Sequence, residues 1–134
     1  MITYIDSVED VSPDQLRGFF VGWPNPPSPE LHLELLANSD HIILAVAEEG
    51  HLIVGFITAI SDGILSAFIP LLEVLPTYQR QGVGQELMRR MLDKLSNFYS
   101  IDLSCKPDLQ PYYAQFGMKA TTGMIIRNYE RQAG

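Results

Sequence analysis

Between Leu71 and Leu87 a strand, a short polar turn and a helix follow one another without a linker, and no other stretch restricts the fold as much. Leu71, Leu72, Val74 and Leu75 are apolar, Pro76 stops the strand, and Gln79-Arg80-Gln81-Gly82-Val83-Gly84 leads directly into the helix. From Val83 to Phe98, residues Val83, Leu87, Met88, Met91, Leu92 and Leu95 recur at the helical period and make one apolar stripe. Glu86 with Arg90, and Arg89 with Asp93, fall at i,i+4 on the opposite face. A one-striped helix has to bury its stripe, and the strand that feeds it supplies the sheet, so the chain is a layered, mixed α/β protein.

The flanking segments fit that reading. Ile2 to Asp6 is a short strand. Ser12-Pro13-Asp14-Gln15 carries the signature of a capped helix start, with Leu16, Phe19 and Phe20 facing the core. Pro24, Pro26 and Pro27 make Gly22 to Pro27 a loop. A second helix starts at Ser28 and runs to about Ala37. His41 to Glu48 and Leu52 to Ile60 are strands joined at Glu49-Gly50. Ser61-Asp62-Gly63 turns the chain into a third strand, Ile64 to Leu75. Pro70 lies inside this strand and brings no ladder N–H, so a bulge or splay is expected there. Ile101 to Cys105 is a strand, Pro107 to Phe116 a short helix stopped at Gly117, and Met124 to Tyr129 a last strand.

Composition narrows the function. The chain has 134 residues, a net charge of -7 and one cysteine, Cys105. That length gives one domain spanning 1–134. The acidic balance argues against a nucleic-acid partner. A lone cysteine gives no internal disulfide, and no Cys/His spacing suits a metal. The longest strictly apolar run is Ile42 to Ala47, far short of a membrane span, and no basic-then-apolar leader opens the chain, so a cytoplasmic protein without a membrane partner is expected. The charge is uneven. Met1 to Gln79 holds one basic residue against eleven acidic ones, and Arg80 to Gly134 holds eight basic against five acidic. An anionic ligand on the second half and a cationic one approaching the first would fit this split.

The turn itself has the parts of an anion site. Gly82 and Gly84 allow close approach by a ligand. The first N–H groups of a helix have no internal partner and point outward, and Arg80 adds a phosphate donor. The string lacks the Gly-Lys of a P-loop, and Leu87 stands where a dinucleotide fingerprint needs its third glycine.

Val74-Leu75-Pro76-Thr77-Tyr78-Gln79-Arg80-Gln81-Gly82-Val83-Gly84 resembles the acetyl-CoA motif of the GNAT N-acetyltransferase superfamily. Tyr112-Tyr113-Ala114-Gln115-Phe116-Gly117-Met118 resembles that family's late Phe-Tyr-x-x-x-Gly-Phe segment, with Tyr112 and Met118 replacing phenylalanines. The resemblance implies a GNAT fold with a central mixed, splayed sheet of six to seven strands and about four helices. It implies acetyl-CoA as co-substrate and no metal. Leu72, Glu73 and Val74 would offer backbone to the pantetheine arm, and Gln79, Arg80, Gln81, Gly82, Val83, Gly84 and Gln85 would wrap the pyrophosphate. Tyr113 would contact the cofactor and act as general acid toward the CoA thiolate. Lys106 falls near a CoA-contacting position. Many relatives pair as homodimers, so a homodimer is among the expected states.

The implied chemistry sets requirements. An amine with a pKa near 10.4 is a free nucleophile in only about 1 part in 10^3.4 at pH 7, a gap of about 4–5 kcal/mol that a base or a dry site must close. A leaving thiolate, with a thiol pKa of about 8.5, gains from a tyrosine hydroxyl, and the carbonyl oxygen from a free backbone N–H. Relatives carry their base on this strand at positions matching Phe68 or Pro70, neither of which titrates. Glu73 is the only carboxylate on the strand and is the candidate base; a solvated or ion-paired acid, or deprotonation through water, fits the same residue pattern. Trp23 could lid the acceptor site or plug the core. Glu30, Glu34 and Asp62 could draw a cation or simply face solvent. Cys105 reads as buried, and His32, His41 and His51 as non-ligands. The expected activity is direct transfer of acetyl from acetyl-CoA to a primary amine of a small molecule or peptide. A non-catalytic CoA-binding module of the same fold, or transfer to a hydroxyl or a protein N-terminus, are the rivals.

Overall fold

Apolar and β-branched residues crowd the middle of the chain, and in the computed structural model, which describes residues 1–134, they form the centre of a single sheet. Its strands are β1 (Ile2–Ile5), β2 (His41–Ala47), β3 (Ile53–Ser61), β4 (Ser66–Val74) and β5 (Ser100–Asp102). They lie in the order β1-β2-β3-β4-β5. The first four are antiparallel, with Leu44 opposite Phe56 and Ile57 opposite Leu72. β5 joins parallel to β4, because α2 (Val83–Lys94) carries the chain back between them.

Each face of the sheet is covered. The apolar stripe of α2, Val83, Leu87, Met88 and Met91, packs on Ile43, Ala45, Ile57 and Ile69. On the other face α1 (Pro29–Asn38) and a 3-10 turn (Pro13–Leu16) bring Leu36, Leu16, Phe19 and Phe20 against Leu44 and Phe56. Strand alternation explains the division: Phe56 and Glu73 are paired and share the α1 face, while Leu72 and Val74 point to the α2 face.

Several elements differ from the sequence reading, each for a local reason. The helix expected after Ser12 is one 3-10 turn. Gln15 Oε1 accepts the Ser12 N–H at 2.8 Å, but Gly18 (φ +93°) and Phe20 (φ +62°) then leave helical space. The N–H groups of Phe20 and Val21 bond to the Glu73 carboxylate instead of to a preceding turn. The third strand starts at Ser66 rather than Ile64, because Asp62 Oδ1 accepts N–H groups from Ile64, Leu65 and Ser66 and curls the turn around itself. These bonds hold the Asp62 carboxyl below its ordinary pKa, so Asp62 anchors a turn. The α2 helix ends at Lys94, four residues before Phe98, as Leu95 (φ -95°, ψ 11°) leaves the helix.

Arg89 pairs with Glu86 rather than with Asp93, and Glu86 also takes Arg90 at 2.7 Å. The strand expected from Ile101 to Cys105 is the three-residue β5. The helix expected from Pro107 to Phe116 divides into a 3-10 turn (Pro107–Leu109) and α3 (Gln110–Ala114). Met124 to Tyr129 pairs with nothing and is not a strand. The sheet therefore has five strands, not six or seven, and three α-helices rather than about four.

Candidate acetyl-CoA site

Pro70 produces the bulge its chemistry requires. Thr58 pairs with Leu71 and Ile60 with Phe68, so Ile69 and Pro70 together oppose Ala59. On the other side, β4 meets β5 only at Ser66, Ala67 and Phe68. Beyond Phe68 the two parallel strands part, and β4 has an unpaired edge. The Leu75 N–H donates to Val54 O at 2.8 Å, which fixes the alternation. Glu73 and Leu71 turn their backbone groups to β3, while Leu72 and Val74 turn theirs to the open edge. The Val74 carbonyl is taken by Gln79 Nε2 at 2.9 Å, and the Leu72 N–H and C=O are left for a ligand.

The turn leaving β4 is built to present N–H groups. Arg80 (φ +63°) and Gly82 (φ +85°) both adopt left-handed backbone, and Gly82 caps α2. Glycine takes that conformation freely, whereas at Arg80 it is a strained choice. Glu86 N–H on Gly82 O, at 3.0 Å, is the first bond of the helix, and no N–H from Arg80 through Gln85 donates to a protein acceptor. Gln79, Gln81 and Gln85 brace the loop by bonding to Val74 O, Thr77 O and Gln115 Oε1. The Arg80 side chain is exposed and unpaired, available to an anion. The turn is thus a row of free donors at the positive end of a helix dipole.

The tyrosines sit beside it. Tyr113 packs on the same apolar cluster as Leu72 and Val74 and lines a cavity with Cys105, Lys106 and Phe116. Burial first, then Tyr112 and Cys105, push its hydroxyl above the ordinary pKa, so it stays protonated at neutral pH. Cys105 is half-buried there rather than enclosed. Tyr112, which sequence reasoning passed over, reaches the turn itself: its hydroxyl lies 2.9 Å from the place a β-carbon on Gly84 would occupy. Nothing in the Tyr112-Tyr113 pair signals which ring turns that way; the edge-on packing of the two rings at 5.0 Å sends them in different directions.

Glu73 is on the other face of β4, away from Tyr113. Its Oε1 accepts the Phe20 N–H at 2.8 Å and its Oε2 the Val21 N–H at 3.2 Å. The carboxylate therefore holds the Gly18–Trp23 loop over the end of β4. Trp23 stacks at a tilt on Phe20, 4.9 Å between centroids, and remains 37% exposed, a rim residue rather than a core plug. Glu30 and Glu34 lie on α1 outside this site. His32 is buried among Phe19, Phe20 and Phe56. No group of three His, Cys, Asp or Glu side chains is arranged to hold a metal ion. No helix is long and apolar enough to cross a membrane.

Comparison with known proteins accounts for this arrangement. Residues 8–118 match the model of the acetyltransferase (GNAT) family. A crystal structure from Deinococcus radiodurans R1, described as that of a candidate acetyltransferase, is 46% identical and superposes with a TM-score of 0.95 over 99% of this chain and 92% of that one. A GNAT-family acetyltransferase from Streptococcus pneumoniae TIGR4 is 32% identical, with a TM-score of 0.77 over 96% and 98% of the two chains. GCN5-related N-acetyltransferase 3, chloroplastic, of Arabidopsis thaliana is 35% identical over 85 residues, which are 58% of this chain. The match spans only 36% of that longer protein. A splayed β4, a donor-lined turn and a sheet shared with these relatives lead to one conclusion: the chain belongs to the acetyltransferase (GNAT) family.

Proposed function

We propose that the protein transfers acetyl from acetyl-CoA to a primary amine of a small molecule or peptide, by direct attack in a ternary complex. The observation that carries this reading is the continuity of two free sets of backbone groups: the N–H row of Arg80–Gln85 and, on the open side of β4, the Leu72 N–H and C=O with the Val74 N–H. A diphosphate seated on the first directs a pantetheine arm along the second; Glu73, expected to offer backbone there as well, instead spends its main-chain groups on β3. The amine nitrogen attacks the thioester carbonyl; the C–N bond forms, the C–S bond breaks, and the thiolate departs. Tyr113, kept protonated by burial, donates a hydrogen bond to that sulfur, and the excess proton of the ammonium leaves to solvent or to a base. Glu73 is the carboxylate nearest the thioester path on the strand, and the loop it holds forms the acceptor side, where the acidic first half of the chain favours a cation.

One observation supports a non-catalytic CoA-binding module instead. Both Glu73 oxygens already hold amide hydrogens, and Phe68 and Pro70 do not titrate. Calorimetry with CoA, followed by thiol release from acetyl-CoA across an amine panel, separates the readings. Binding with turnover supports the transferase, binding without turnover on any amine supports the module, and no heat with CoA removes both.

A further inference from the structure

Ile60, Phe68 and Asp102 stand in one row across the sheet. Ile60 on β3 pairs with Phe68 on β4, and Phe68 with Asp102 on β5. Strand alternation puts the row on the face away from α2, because the residues flanking it along the strands, Ala59, Ala67, Ile69, Ile101 and Leu103, all pack in the α2 cluster. On the face it occupies, α1 and the 3-10 turn leave the row bare: Ile60 is 47% exposed, Phe68 37%, and Asp102 is exposed as well. Neighbouring strands lie about 4.8 Å apart, so the row is a strip of two apolar side chains ending in a carboxylate, about 10 Å from end to end.

The carboxylate has no cation of its own. Ser100 Oγ donates to its Oδ1 at 3.1 Å, and none of the chain's ion pairs includes it. Its place in the sheet is the point of the splay. Phe68 and Asp102 form the last rung at which β4 and β5 are paired, and the free Leu72 groups lie further along β4, in the gap that opens from that rung. Asp102 and Tyr113 line one cavity, and Asp102 is the only carboxylate in its wall.

We propose that Asp102 selects the acceptor: a monocationic primary amine whose apolar body lies on Phe68 and Ile60 and whose ammonium meets the Asp102 carboxylate. This rests on the transferase reading above and names its substrate class. Covering the strip removes apolar surface from water, and the ion pair formed at its end gains strength as the site dries. A polar amine leaves Phe68 and Ile60 wet. An amine that carries its own carboxylate sets like charges together at Asp102. The cations in the cavity wall, Lys106, Lys119 and Arg127, come from the turn after β5 and from the chain beyond Gly117, not from the row. Asp102 thus places the nitrogen at the mouth of the splay, where the arm running past Leu72 brings the thioester.

Initial rates with acetyl-CoA test this. The panel is n-hexylamine and 2-phenylethylamine against ethanolamine, which lacks the apolar body, and phenylalanine, which adds a carboxylate. The two apolar amines should exceed both others by about tenfold or more in kcat/KM. Asp102→Asn keeps the size and loses the charge, so it should raise the KM of the apolar amines by about tenfold while kcat and the heat of CoA binding change little. Asp102→Glu should recover most of that loss. Equal or faster turnover of ethanolamine or phenylalanine overturns the proposal, as does an unchanged amine KM in Asp102→Asn; in both cases the turnover leaves the transferase reading standing. A wild-type protein that binds CoA and turns over no amine overturns that reading, and this proposal with it.

Discussion

The hydroxyl of Tyr112 stands 2.9 Å from where a β-carbon on Gly84 would be, so this glycine leaves room for a neighbour's ring. Gly84 is a helical residue with ordinary φ, so backbone freedom is not the reason for its being glycine. Clearance is, at a point where Tyr112 from α3 and the first turn of α2 converge.

Acetyl-CoA should raise the melting temperature of the wild-type protein, and Gly84→Glu should abolish that shift. The new carboxylate would displace the Tyr112 ring and put negative charge on the N–H row proposed to take the diphosphate. Gly84→Ala should weaken CoA without abolishing binding, because the far end of a tyrosine can swing aside. Differential scanning fluorimetry with and without ligand measures both. An unchanged shift in Gly84→Glu would remove the turn from the site.

Tyr113→Phe should lower kcat by about 10²-fold, the lower range for a positioned proton donor, with little change in CoA affinity. Tyr112→Phe should show the reverse balance, since that ring borders the Arg80–Gln85 turn rather than the cavity lined by Tyr113. Steady-state kinetics beside calorimetry separates them. If Tyr113→Phe turns over at the wild-type rate, the thiolate is served by another donor.

Glu73→Ala should destabilise the fold by about 2 kcal/mol, because two amides, one of them on left-handed Phe20, lose a charged acceptor. Glu73→Gln keeps one acceptor and turns an NH2 toward the second amide, so about half that loss is expected. Urea denaturation gives the stability. The pH–rate profile gives the chemistry: a base that acts directly takes the acidic limb of kcat/KM with it in Glu73→Gln, while a residue that only holds the loop leaves the limb in place and raises the acceptor KM.

The parts of the site legible in sequence were those governed by local physics. Pro70 without an N–H forces a bulge wherever its strand is paired, and Gly82-Val83-Gly84 before an amphipathic stripe makes a helix start with free donors. What failed depended on remote partners. Phe19 and Phe20 after the Ser12 cap read as helix, but Glu73, more than fifty residues on, captures the amides that would have extended it. Met124 to Tyr129 has strand composition, yet composition names no partner, and none exists within the chain. Arg89 has acids at i−3 and i+4, and choosing Glu86 was a matter of side-chain reach on one helix face.

His32 supplies a stability signature independent of any ligand. It is buried 1% exposed between Phe19, Phe20 and Phe56, and neither ring nitrogen has a hydrogen-bond partner. Burial lowers its pKa from 6.5 to about 4, so the folded state holds the ring neutral where an unfolded chain would protonate it. The unfolded state thus binds more protons between those two values, and stability falls as pH drops through that window. The full effect is on the order of 3 kcal/mol, complete above about pH 6.5 and lost by about pH 4. His32→Leu should flatten the dependence across that interval, leaving only the carboxylate contribution at lower pH. Urea midpoints at pH 7, 6, 5 and 4.5 for both proteins measure it. Parallel curves would mean that His32 finds a partner for its proton in the folded protein.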